Sequence, residues 1–369
     1  MTALLKGIAA YRSGTRLDPQ DPTRTPRVSV VVPCYNYGHY LPACLGSALG
    51  QPGVEVEAIV VDDASPDGSA EVAEELAAAE PRVKLMRHPR NKGHIATYND
   101  GLEAASGDYV VLLSADDLLA PGSLGRAIAL LEAHPEVGFA YGRAVVFSGD
   151  PPTGDAGSVR SWTIWEGHDW LRMRWATGRN CIWCPEVVMR ASLQRQIGGY
   201  REDLPHSGDM EMWMRAAAAS DVGHVDGPDQ AYYRVHTANM HITDFDGGSA
   251  RGELVDLEQR RQVFEELADH APGQSDIEAA QRALAVEALT VATRSINWRQ
   301  PDAAVIRELA DFAVDVYPDA VQLRQWSRVQ QLLALGPSRA KRRPAFVARE
   351  AGERAKDVAR RWRHSRRGV

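Results

Sequence analysis

The stretch DYVVLLSADDLLAPGSLGRAIALLEAH (108–134) places a strand pattern, an acidic pair and a helix pattern directly after one another. The apolar run YVVLL (109–113) predicts a buried strand, because it is continuous, short and rich in aromatic and β-branched residues. The segment 123–134 carries apolar residues at helical spacing and predicts a helix. Between the two stand Asp116 and Asp117, like charges at a strand end, and their placement needs a physical reason.

The same alternation of strand and helix continues over about 120 residues of the chain. Strands are predicted at 28–32, 55–63, 82–88, 108–114 and 138–147, and helices at 40–49, 69–80, 94–106 and 123–134. This order predicts an α/β fold with a mostly parallel sheet and helices on both faces. Ligands bind at the carboxyl ends of such strands. The pairs Asp62–Asp63 and Asp116–Asp117 are therefore expected to open onto one edge.

Composition narrows the class of protein. The chain has 369 residues, 44% of them hydrophobic and 25% charged, which is typical of a globular protein. No apolar run approaches the length of a membrane span, and four cysteines are few, so a reduced, cytoplasmic protein is expected. The net charge is −7, but residues 338–369 carry +9, which leaves −16 for the remainder. An acidic body with a basic tail argues against nucleic-acid binding.

Two acidic pairs at one sheet edge suit a hard divalent cation. Mg²⁺ or Mn²⁺ takes one or two carboxylates and completes its shell with water and phosphate oxygens. The chain has no GxxxxGK[ST] loop and no GxGxxG after a strand, which disfavours nucleotide hydrolysis and dinucleotide redox chemistry. The plainer alternative is that these carboxylates are ordinary turn and helix-capping residues. The sequence favours a metal-held, phosphate-bearing ligand.

Five segments in order resemble the glycosyltransferases of family 2. They read VSVVVPCYNYGHYLPACLGSALGQ, IVVDDASPDGS, RNKGHIATYNDGLEAASGDYVVLLSADD, GDMEMWMRAA and YYRVHTANM. The resemblance covers about residues 28–240 and implies the GT-A fold. It also implies inverting transfer of a sugar from a nucleotide-diphospho-sugar to a hydroxyl acceptor, with Mg²⁺ or Mn²⁺. A UDP-sugar is the expected donor and a dTDP-sugar the alternative, as for a natural-product glycosyltransferase.

The resemblance also implies residue roles. Asp209 stands at the position of the catalytic base, Asp117 and His236 at the metal, and Asp116 at the ribose or beside the metal. Arg234 and Lys92 are candidate cations for the phosphates. The nucleotide pocket is expected to be lined by Pro33, Tyr35, Asn36, Asp62 and Asp63.

The segment NCIWCPE (180–186) falls where the family builds its acceptor pocket. Trp183 and Glu186 are therefore candidate acceptor contacts, since aromatic faces stack on sugars and other flat ligands. Core packing of Trp183 is the alternative. A zinc or redox site is disfavoured, because Cys181 and Cys184 form the only CxxC of the chain.

Two positions depart from the family pattern. Ser114 stands where an aspartate often precedes the acidic pair, and Tyr98 stands where an arginine often contacts phosphate or base. Two rival functions are disfavoured. A nucleotidyltransferase needs a Gly-rich phosphate loop directly after the first strand, and PCYNYGHY is not such a loop. An inactive carbohydrate-binding protein should lack Asp209 or the acidic pair, and both are present.

The expected domain division follows the change of pattern along the chain. Residues 1–27 are an N-terminal extension, and 28–246 form the catalytic domain, with a nucleotide-sugar half (28–147) and an acceptor half (148–246). Residues 247–336 carry helical spacing and predict a helical domain. The basic tail (337–369) is a solvated segment or a contact to an anionic membrane surface. The acceptor is a glycan, a lipid-linked glycan or a small molecule, and the oligomeric state is left open.

Overall fold

The computed structural model describes residues 14–20, 25–154, 156–243, 249–295 and 302–340. Within these, the chain forms two compact units. The sheet unit contains the described parts of 12–170 and 180–236, and the helical unit contains 171–179 and the described residues from 237 onward. Most of the predicted basic tail and residues 1–13 of the predicted extension lie outside the described residues.

The sheet unit is built on a sheet that has ten strands among the described residues. The strands are β1 (Thr15–Leu17), β2 (Arg27–Cys34), β3 (Glu55–Asp62), β4 (Val83–Arg87), β5 (Tyr109–Leu112), β6 (Leu118–Leu119), β7 (Val137–Phe147), β8 (Ser161–Trp165), β9 (Val188–Arg190) and β10 (Asp221–Arg234). Their order is β1-β8-β10-β7-β9-β5-β2-β3-β4, with β6 paired to β10.

Helices alternate with these strands along the chain. They are α1 (Leu41–Leu49), α2 (Ser69–Ala79), α3 (His94–Glu103), α4 (Ser123–Ala133), α5 (Gly167–Thr177), α6 (Ala191–Ile197) and α7 (Gly208–Ala219). Val28, Val30 and Val32 of β2 share a buried cluster with α1 and α4. Val31 points to the other face, where Gly101 of α3 approaches it closely. The prediction of helices on both faces of the sheet is confirmed.

Parallel pairing carries the acidic pairs to one edge. β2 pairs in parallel with β3 and with β5, and β3 pairs in parallel with β4. The antiparallel strand β9 then joins β5 to β7. Because β3 ends at Asp62 and the chain after β5 runs directly into Asp116, both pairs lie at the carboxyl edge of the parallel strands. The predicted mostly parallel α/β fold is confirmed.

The two-residue strand β6 connects this edge to β10. Leu118 pairs with Tyr232 and Leu119 with Ala231 in antiparallel register. The acidic pair immediately precedes β6, while residues 234–236 follow the part of β10 that pairs with β6. This register brings the acidic pair next to Arg234 and His236, although more than one hundred residues separate them in the sequence.

The helical unit confirms the prediction of helices in the C-terminal region. It contains α8 (Met240–Thr243), α9 (Ala250–Glu266), α10 (Gln274–Arg294), α11 (Ala303–Val316), α12 (Arg324–Leu335) and α13 (Pro337–Ala340), with short 3₁₀ turns at Ala268–His270 and Pro318–Gln322. Within the described part of the chain, no helix combines the length and the apolar character that crossing a membrane requires.

A buried ion network lies inside the helical unit. Arg260 is almost fully buried, and its guanidinium lies 2.7 Å from Asp256 and 3.0 Å from Glu287. It also donates a hydrogen bond of 2.7 Å to the carbonyl of Gly178, and Arg179 forms a second ion pair with Glu287. The network therefore ties the segment 171–179 to α9 and α10.

Candidate active site

The acidic pair lies in a turn directly after β5. The N–H of Asp117 donates a hydrogen bond of 2.9 Å to the carbonyl of Ser114, which closes the turn. Both carboxyl groups are buried, with Asp116 5% and Asp117 2% exposed. Burial raises the pKa of both groups, and the neighbouring charge of Asp116 raises the pKa of Asp117 further. The turn therefore concentrates carboxyl groups in a place where their negative charge is costly.

The segment after β10 holds this turn in place. The backbone N–H of Arg234 donates to Oδ1 of Asp117 at 2.8 Å, and its Nε donates to the carbonyl of Asp116 at 2.8 Å. The guanidinium also donates to the carbonyl of Gly149 and lies 4.7 Å from the ring centroid of Tyr40. The guanidinium of Arg234 therefore makes mainly structural contacts. Its predicted contact with phosphate stays a prediction.

His236 contacts the same turn through its side chain. Its Nε2 lies 3.1 Å from Oδ2 of Asp116, and its ring packs 5.5 Å from the ring centroids of both Tyr37 and Tyr40. The structure therefore brings together the two residues predicted at the metal and the acid predicted to assist them. The aromatic rings fix the orientation of the imidazole beside Asp116.

The residues of this turn fit a hard divalent cation. Within the residues that the structure describes, no cluster of three or more His, Cys, Asp or Glu side chains forms a metal site. At a phosphate site the cation needs only one or two carboxylates, because water and phosphate complete its shell. Oδ1 of Asp117 accepts the Arg234 N–H, and Oδ2 has no hydrogen-bond partner among the described residues. A cation beside these buried carboxyls would offset the charge that burial disfavours.

The acids of the first pair have different environments. Asp63 accepts three hydrogen bonds of 2.7–2.9 Å, from the His88 ring and from the N–H groups of Lys92 and Gly93. Among the described residues, Asp62 accepts only the N–H of Ser65, at 3.3 Å, and its buried Oδ1 has no partner. Asp63 thus shapes the loop after β4, while Asp62 keeps a hydrogen-bonding atom for another molecule.

The predicted cation Lys92 lies on this loop. Its Nζ is 2.6 Å from Oδ2 of Asp100, and its side chain is 40% exposed. The ammonium group is therefore partly neutralised by a surface partner. A contact with donor phosphates stays a prediction.

The end of β2 carries the other predicted nucleotide contacts. Pro33 pairs with Val61 in the sheet, and Tyr35 is 45% exposed. Asn36 has φ +62° and donates its N–H to the Ser65 hydroxyl at 3.0 Å. Its buried Oδ1 has no partner within the described ranges of the chain. A positive φ is unusual for a residue other than glycine and clusters at functional sites. These features are compatible with a binding surface beside Asp62.

Asp209 lies in the first turn of α7. The cap position belongs to Ser207, whose side chain makes no capping hydrogen bond. Burial raises the pKa of Asp209 to about 6, although hydrogen bonds from the Tyr200 hydroxyl and the Cys184 thiol oppose the shift. Its Oδ1 is buried and has no hydrogen-bond partner in the part of the chain that the structure describes. A carboxylate with this pKa and such an acceptor oxygen has the chemistry that a general base needs.

Two side chains, Asn99 and Arg215, hold the turn and the helix that position Asp209. The side chain of Asn99 on α3 clamps Tyr200, donating to its carbonyl at 2.8 Å and accepting from its N–H at 2.7 Å. On α7, the buried Glu211 pairs with Arg215 at 2.7 Å, and Arg215 donates to the carbonyl of Gly199 at 2.8 Å. The base therefore rests on a helix and on a clamped turn rather than on an open loop.

The segment 180–187 brings Glu186 close to Asp209 and to Asp117. Glu186 is 3% exposed, and burial is the first cause that raises its pKa to about 7, with the charge of Asp209 contributing. Glu186 in turn raises the pKa of Asp117. Trp183 is 49% exposed and lies 5.0 Å from the ring centroid of Tyr233. The alternative of core packing for Trp183 is therefore wrong.

Comparison with known proteins gives the family. A sequence model of glycosyl transferase family 2 matches residues 29–193, which include both acidic pairs. An uncharacterised protein of Mycobacterium tuberculosis is 31% identical over 236 residues, which cover 59% of this chain and 70% of that protein. An uncharacterised glycosyltransferase of Nostoc is 26% identical over 223 residues, which cover 59% of this chain and 67% of that protein. The chain belongs to glycosyl transferase family 2.

The fold of this family 2 glycosyltransferase also occurs among solved structures. A mannosyltransferase of Pyrobaculum calidifontis, solved in complex with GDP-Man and Mn²⁺, aligns with a TM-score of 0.52 and 20% identity. The alignment covers 90% of this chain and 93% of the other. At this identity the likeness concerns the fold alone, and it confirms the GT-A fold.

Local sequence patterns do not assign three residues to the site of this family 2 glycosyltransferase. Tyr200, in a turn that no motif marks, opposes the rise of the pKa of Asp209. The CxxC pattern marks Cys184 only as a candidate metal or redox ligand, yet its thiol also opposes the rise of the Asp209 pKa and its backbone has φ +102°. Tyr233 is marked only as part of the motif around His236. Burial raises the pKa of Tyr98, which departs from the family pattern, and the nearby charges of Asp209 and Asp116 raise this pKa further.

Proposed function

We propose that this family 2 glycosyltransferase transfers a sugar from a UDP-sugar to a hydroxyl acceptor, with inversion and with a divalent metal. The observation that carries the proposal is the grouping of Asp117, Glu186 and Asp209 at the carboxyl edge of the sheet. Burial raises the pKa of each carboxyl, and charge interactions link Asp117 to Glu186 and Glu186 to Asp209. Such a group of acids suits a site that binds a cation and moves a proton.

The proposed reaction is a single displacement at the anomeric carbon of the donor. The acceptor oxygen forms a bond to that carbon, and the bond from the carbon to the diphosphate oxygen breaks with its electron pair on the diphosphate. Asp209 takes the proton of the attacking hydroxyl. Its pKa of about 6 keeps it mostly ionised near neutral pH, and its unpartnered Oδ1 offers an acceptor for that proton.

The nucleotide is proposed to bind between the ends of β2 and β3. Asp62 has an unpartnered carboxylate oxygen there, and Asn36 has an unpartnered amide oxygen. The exposed ring of Tyr35 and the rigid Pro33 line the same strand end. Asp63 acts through the loop that it organises, and Lys92 on that loop is a candidate cation for the phosphates.

The metal, Mg²⁺ or Mn²⁺, is proposed to be held by Asp117, with His236 as a second ligand and Asp116 beside them. A bound divalent cation would neutralise charge on the diphosphate leaving group. The Pyrobaculum mannosyltransferase of the same fold is in complex with Mn²⁺, which supports the choice of metal. Arg234 positions this turn through its backbone and its Nε.

The acceptor is proposed to bind at Trp183 and Glu186, on the side of the site where Asp209 lies. The domain division predicted from the sequence, with catalysis in 28–246 and a helical domain in 247–336, is part of this proposal. So is the cytoplasmic location, with peripheral attachment to a membrane through the basic tail as its variant.

A donor-binding experiment tests the proposal. UDP-, dTDP- and GDP-sugars are titrated into the protein by calorimetry, with and without Mn²⁺, and donor hydrolysis is measured in parallel. The expected result is metal-dependent binding of a UDP-sugar that Asp117→Ala abolishes. Failure of every donor to bind in the presence of Mn²⁺ overturns the proposal, while preference for a dTDP-sugar corrects only the nucleotide.

A further inference from the structure

The turn that carries Trp183 is held in an unusual conformation. Cys184 has φ +102°, a region that residues other than glycine rarely adopt. The N–H of Val187 bonds to the carbonyl of Cys184 at 3.0 Å, and the Asn180 side chain bonds to both backbone groups of Ile182. Such strain persists only where the surrounding contacts enforce it, and it is concentrated at ligand-binding sites.

This turn presents an aromatic surface instead of burying it. The Trp183 side chain is 49% exposed, and its ring packs against Tyr233 of β10 with centroids 5.0 Å apart and planes tilted by 47°. One side of the indole is therefore supported by Tyr233, while much of the rest is accessible to another molecule. A rigid aromatic face at the rim of a site is a common element of ligand recognition.

Glu186 adds a polar group directly beside this surface. Its Oε1 accepts the N–H of Trp183 at 2.8 Å, which couples the carboxyl group to the aromatic residue. Its Oε2 is buried and has no hydrogen-bond partner among the described residues, on a side chain that is 3% exposed. Buried polar atoms are nearly always paired, so an unpaired one indicates a partner that arrives with a ligand.

The turn also contacts the proposed base. The thiol of Cys184 lies close enough to Asp209 to oppose the rise of the pKa of that carboxyl group, and it lies 4.0 Å from the Tyr200 hydroxyl. A molecule lying on Trp183 is therefore close to the carboxylate that would deprotonate it. This position fits the acceptor rather than the nucleotide, whose proposed contacts are on β2 and β3.

We infer that the acceptor hydroxyl belongs to a sugar ring, so that the enzyme extends a glycan rather than glycosylating a flat aromatic aglycone. In this inference, which rests on the proposed function, the C–H face of the ring stacks on Trp183, and a ring hydroxyl donates a hydrogen bond to Oε2 of Glu186. A flat aglycone would need an apolar slot with two walls and no carboxyl group. Here one aromatic wall stands next to a carboxyl group, and this combination matches the apolar faces and polar edges of a pyranose.

The test compares acceptors at a fixed, saturating concentration of the UDP-sugar found to bind with Mn²⁺. One set contains octyl glycosides of glucose, galactose, N-acetylglucosamine and rhamnose, and the other contains flat phenols such as umbelliferone. We expect transfer to at least one glycoside and none to the phenols. Transfer to phenols alone, or donor hydrolysis without transfer to any glycoside, overturns the inference.

Variants then assign the contacts. Trp183→Ala should raise the KM for the glycoside at least tenfold while the donor KM changes less than twofold, and Trp183→Phe should recover most of the loss. Glu186→Ala should do the same to the glycoside KM, and Glu186→Gln should retain part of the affinity. Val146→Ala, which alters an exposed side chain of β7, is the matched control and should match wild type.

These outcomes separate the inference from the proposed function. Absence of donor binding in wild type contradicts the proposed function itself. If Trp183→Ala leaves the KM for the glycoside unchanged, or is folded by circular dichroism and has lost affinity for both substrates, the inference is wrong while the proposed function stands. If Trp183→Ala is unfolded, Glu186→Ala tests the inference in its place, and an unchanged KM for the glycoside in that variant overturns it.

Discussion

The backbone N–H of Arg234 donates a hydrogen bond of 2.8 Å to Oδ1 of Asp117 across 117 residues of sequence. No hydrogen bond from a described residue reaches the other oxygen of Asp117, and the contact with Arg234 fixes the orientation of the carboxyl group. The donor is a backbone group, so most substitutions of the Arg234 side chain leave the contact in place. The geometry of the proposed metal ligand is therefore set by the pairing of β6 with β10.

Removal of the Asp117 carboxylate should abolish transfer. Asp117→Asn keeps the volume and the Oδ1 acceptor but loses the negative charge, so we expect kcat/KM to fall by roughly 100-fold or more, because metal-ion catalysis supplies several kcal/mol. EDTA should inactivate the wild-type enzyme, and Mn²⁺ or Mg²⁺ should restore it. Full activity in EDTA would show that the metal assignment is wrong.

The Arg234 side chain distinguishes a structural role from a phosphate contact. Arg234→Met removes hydrogen bonds to the carbonyls of Asp116 and Gly149, so we expect a loss of about 1–3 kcal/mol in the free energy of unfolding, measured by urea denaturation. Donor affinity should fall only modestly. A large loss of donor affinity at unchanged stability would instead indicate that Arg234 binds the phosphates.

Substitution of Asp209 should separate binding from chemistry. Asp209→Asn preserves shape but cannot accept the proton, so the donor Kd should stay near the wild-type value while kcat falls by about 10²–10⁴-fold. For the wild-type enzyme, kcat/KM should decline as the pH falls through about 6, because the base becomes protonated. A pH profile that is flat between about 5 and 7 would contradict the role of Asp209.

Asp209 should also make the stability of the protein depend on pH. Stability should fall as the pH rises, whereas activity should rise. The pKa of Asp209 is raised from 3.8 to about 6 in the folded protein, so its contribution to stability is complete below about 4 and is lost as the pH rises through about 6. Asp209→Asn should therefore unfold at a higher temperature than wild type near pH 8, with a smaller difference near pH 5. Thermal unfolding at both pH values measures this, and an equal shift at both would exclude a charge effect.

The buried network of the helical unit provides a test of stability away from the site. Arg260→Met leaves the nearly buried Glu287 with one partner fewer, so we expect a loss of about 3 kcal/mol in the stability of this unit. Arg251→Ala removes an exposed ion pair with Glu308 and is the matched control. Urea denaturation followed by circular dichroism should show a shift for Arg260→Met and little change for the control. Equal effects would contradict the assignment.

Local patterns in the sequence were enough to predict the fold class. Alternation of apolar strands with helical segments requires only neighbouring residues, and it correctly gave the parallel sheet and the edge that carries both acidic pairs. The contacts of Asp117 and Asp116 with Arg234 and His236 were beyond such patterns. They depend on a two-residue strand, Leu118–Leu119, whose pairing has no periodicity to detect.

The different environments of Asp62 and Asp63 show the same limit. The two residues are adjacent and chemically identical, and only the fold of the loop at 88–93 gives Asp63 three hydrogen bonds while Asp62 keeps an unpartnered oxygen. Tyr200 likewise reaches Asp209 because Asn99 clamps its backbone from a distant helix. Side-chain environments of this kind follow from tertiary packing, which neighbouring residues do not encode.

The pairing of β6 with β10 has a consequence for how the enzyme becomes active as it folds. The core of β2 to β5 can form first, because these strands are complete once residue 112 has been made and their longest pairing, Val28 with Tyr109, spans 81 residues. The contact between Asp117 and Arg234 must close a longer loop of 117 residues. During synthesis from the N-terminus, the acidic turn exists well before its anchoring segment has been made. We expect nascent chains that end before β10 to form the early core but remain catalytically silent, so that activity appears in one late step.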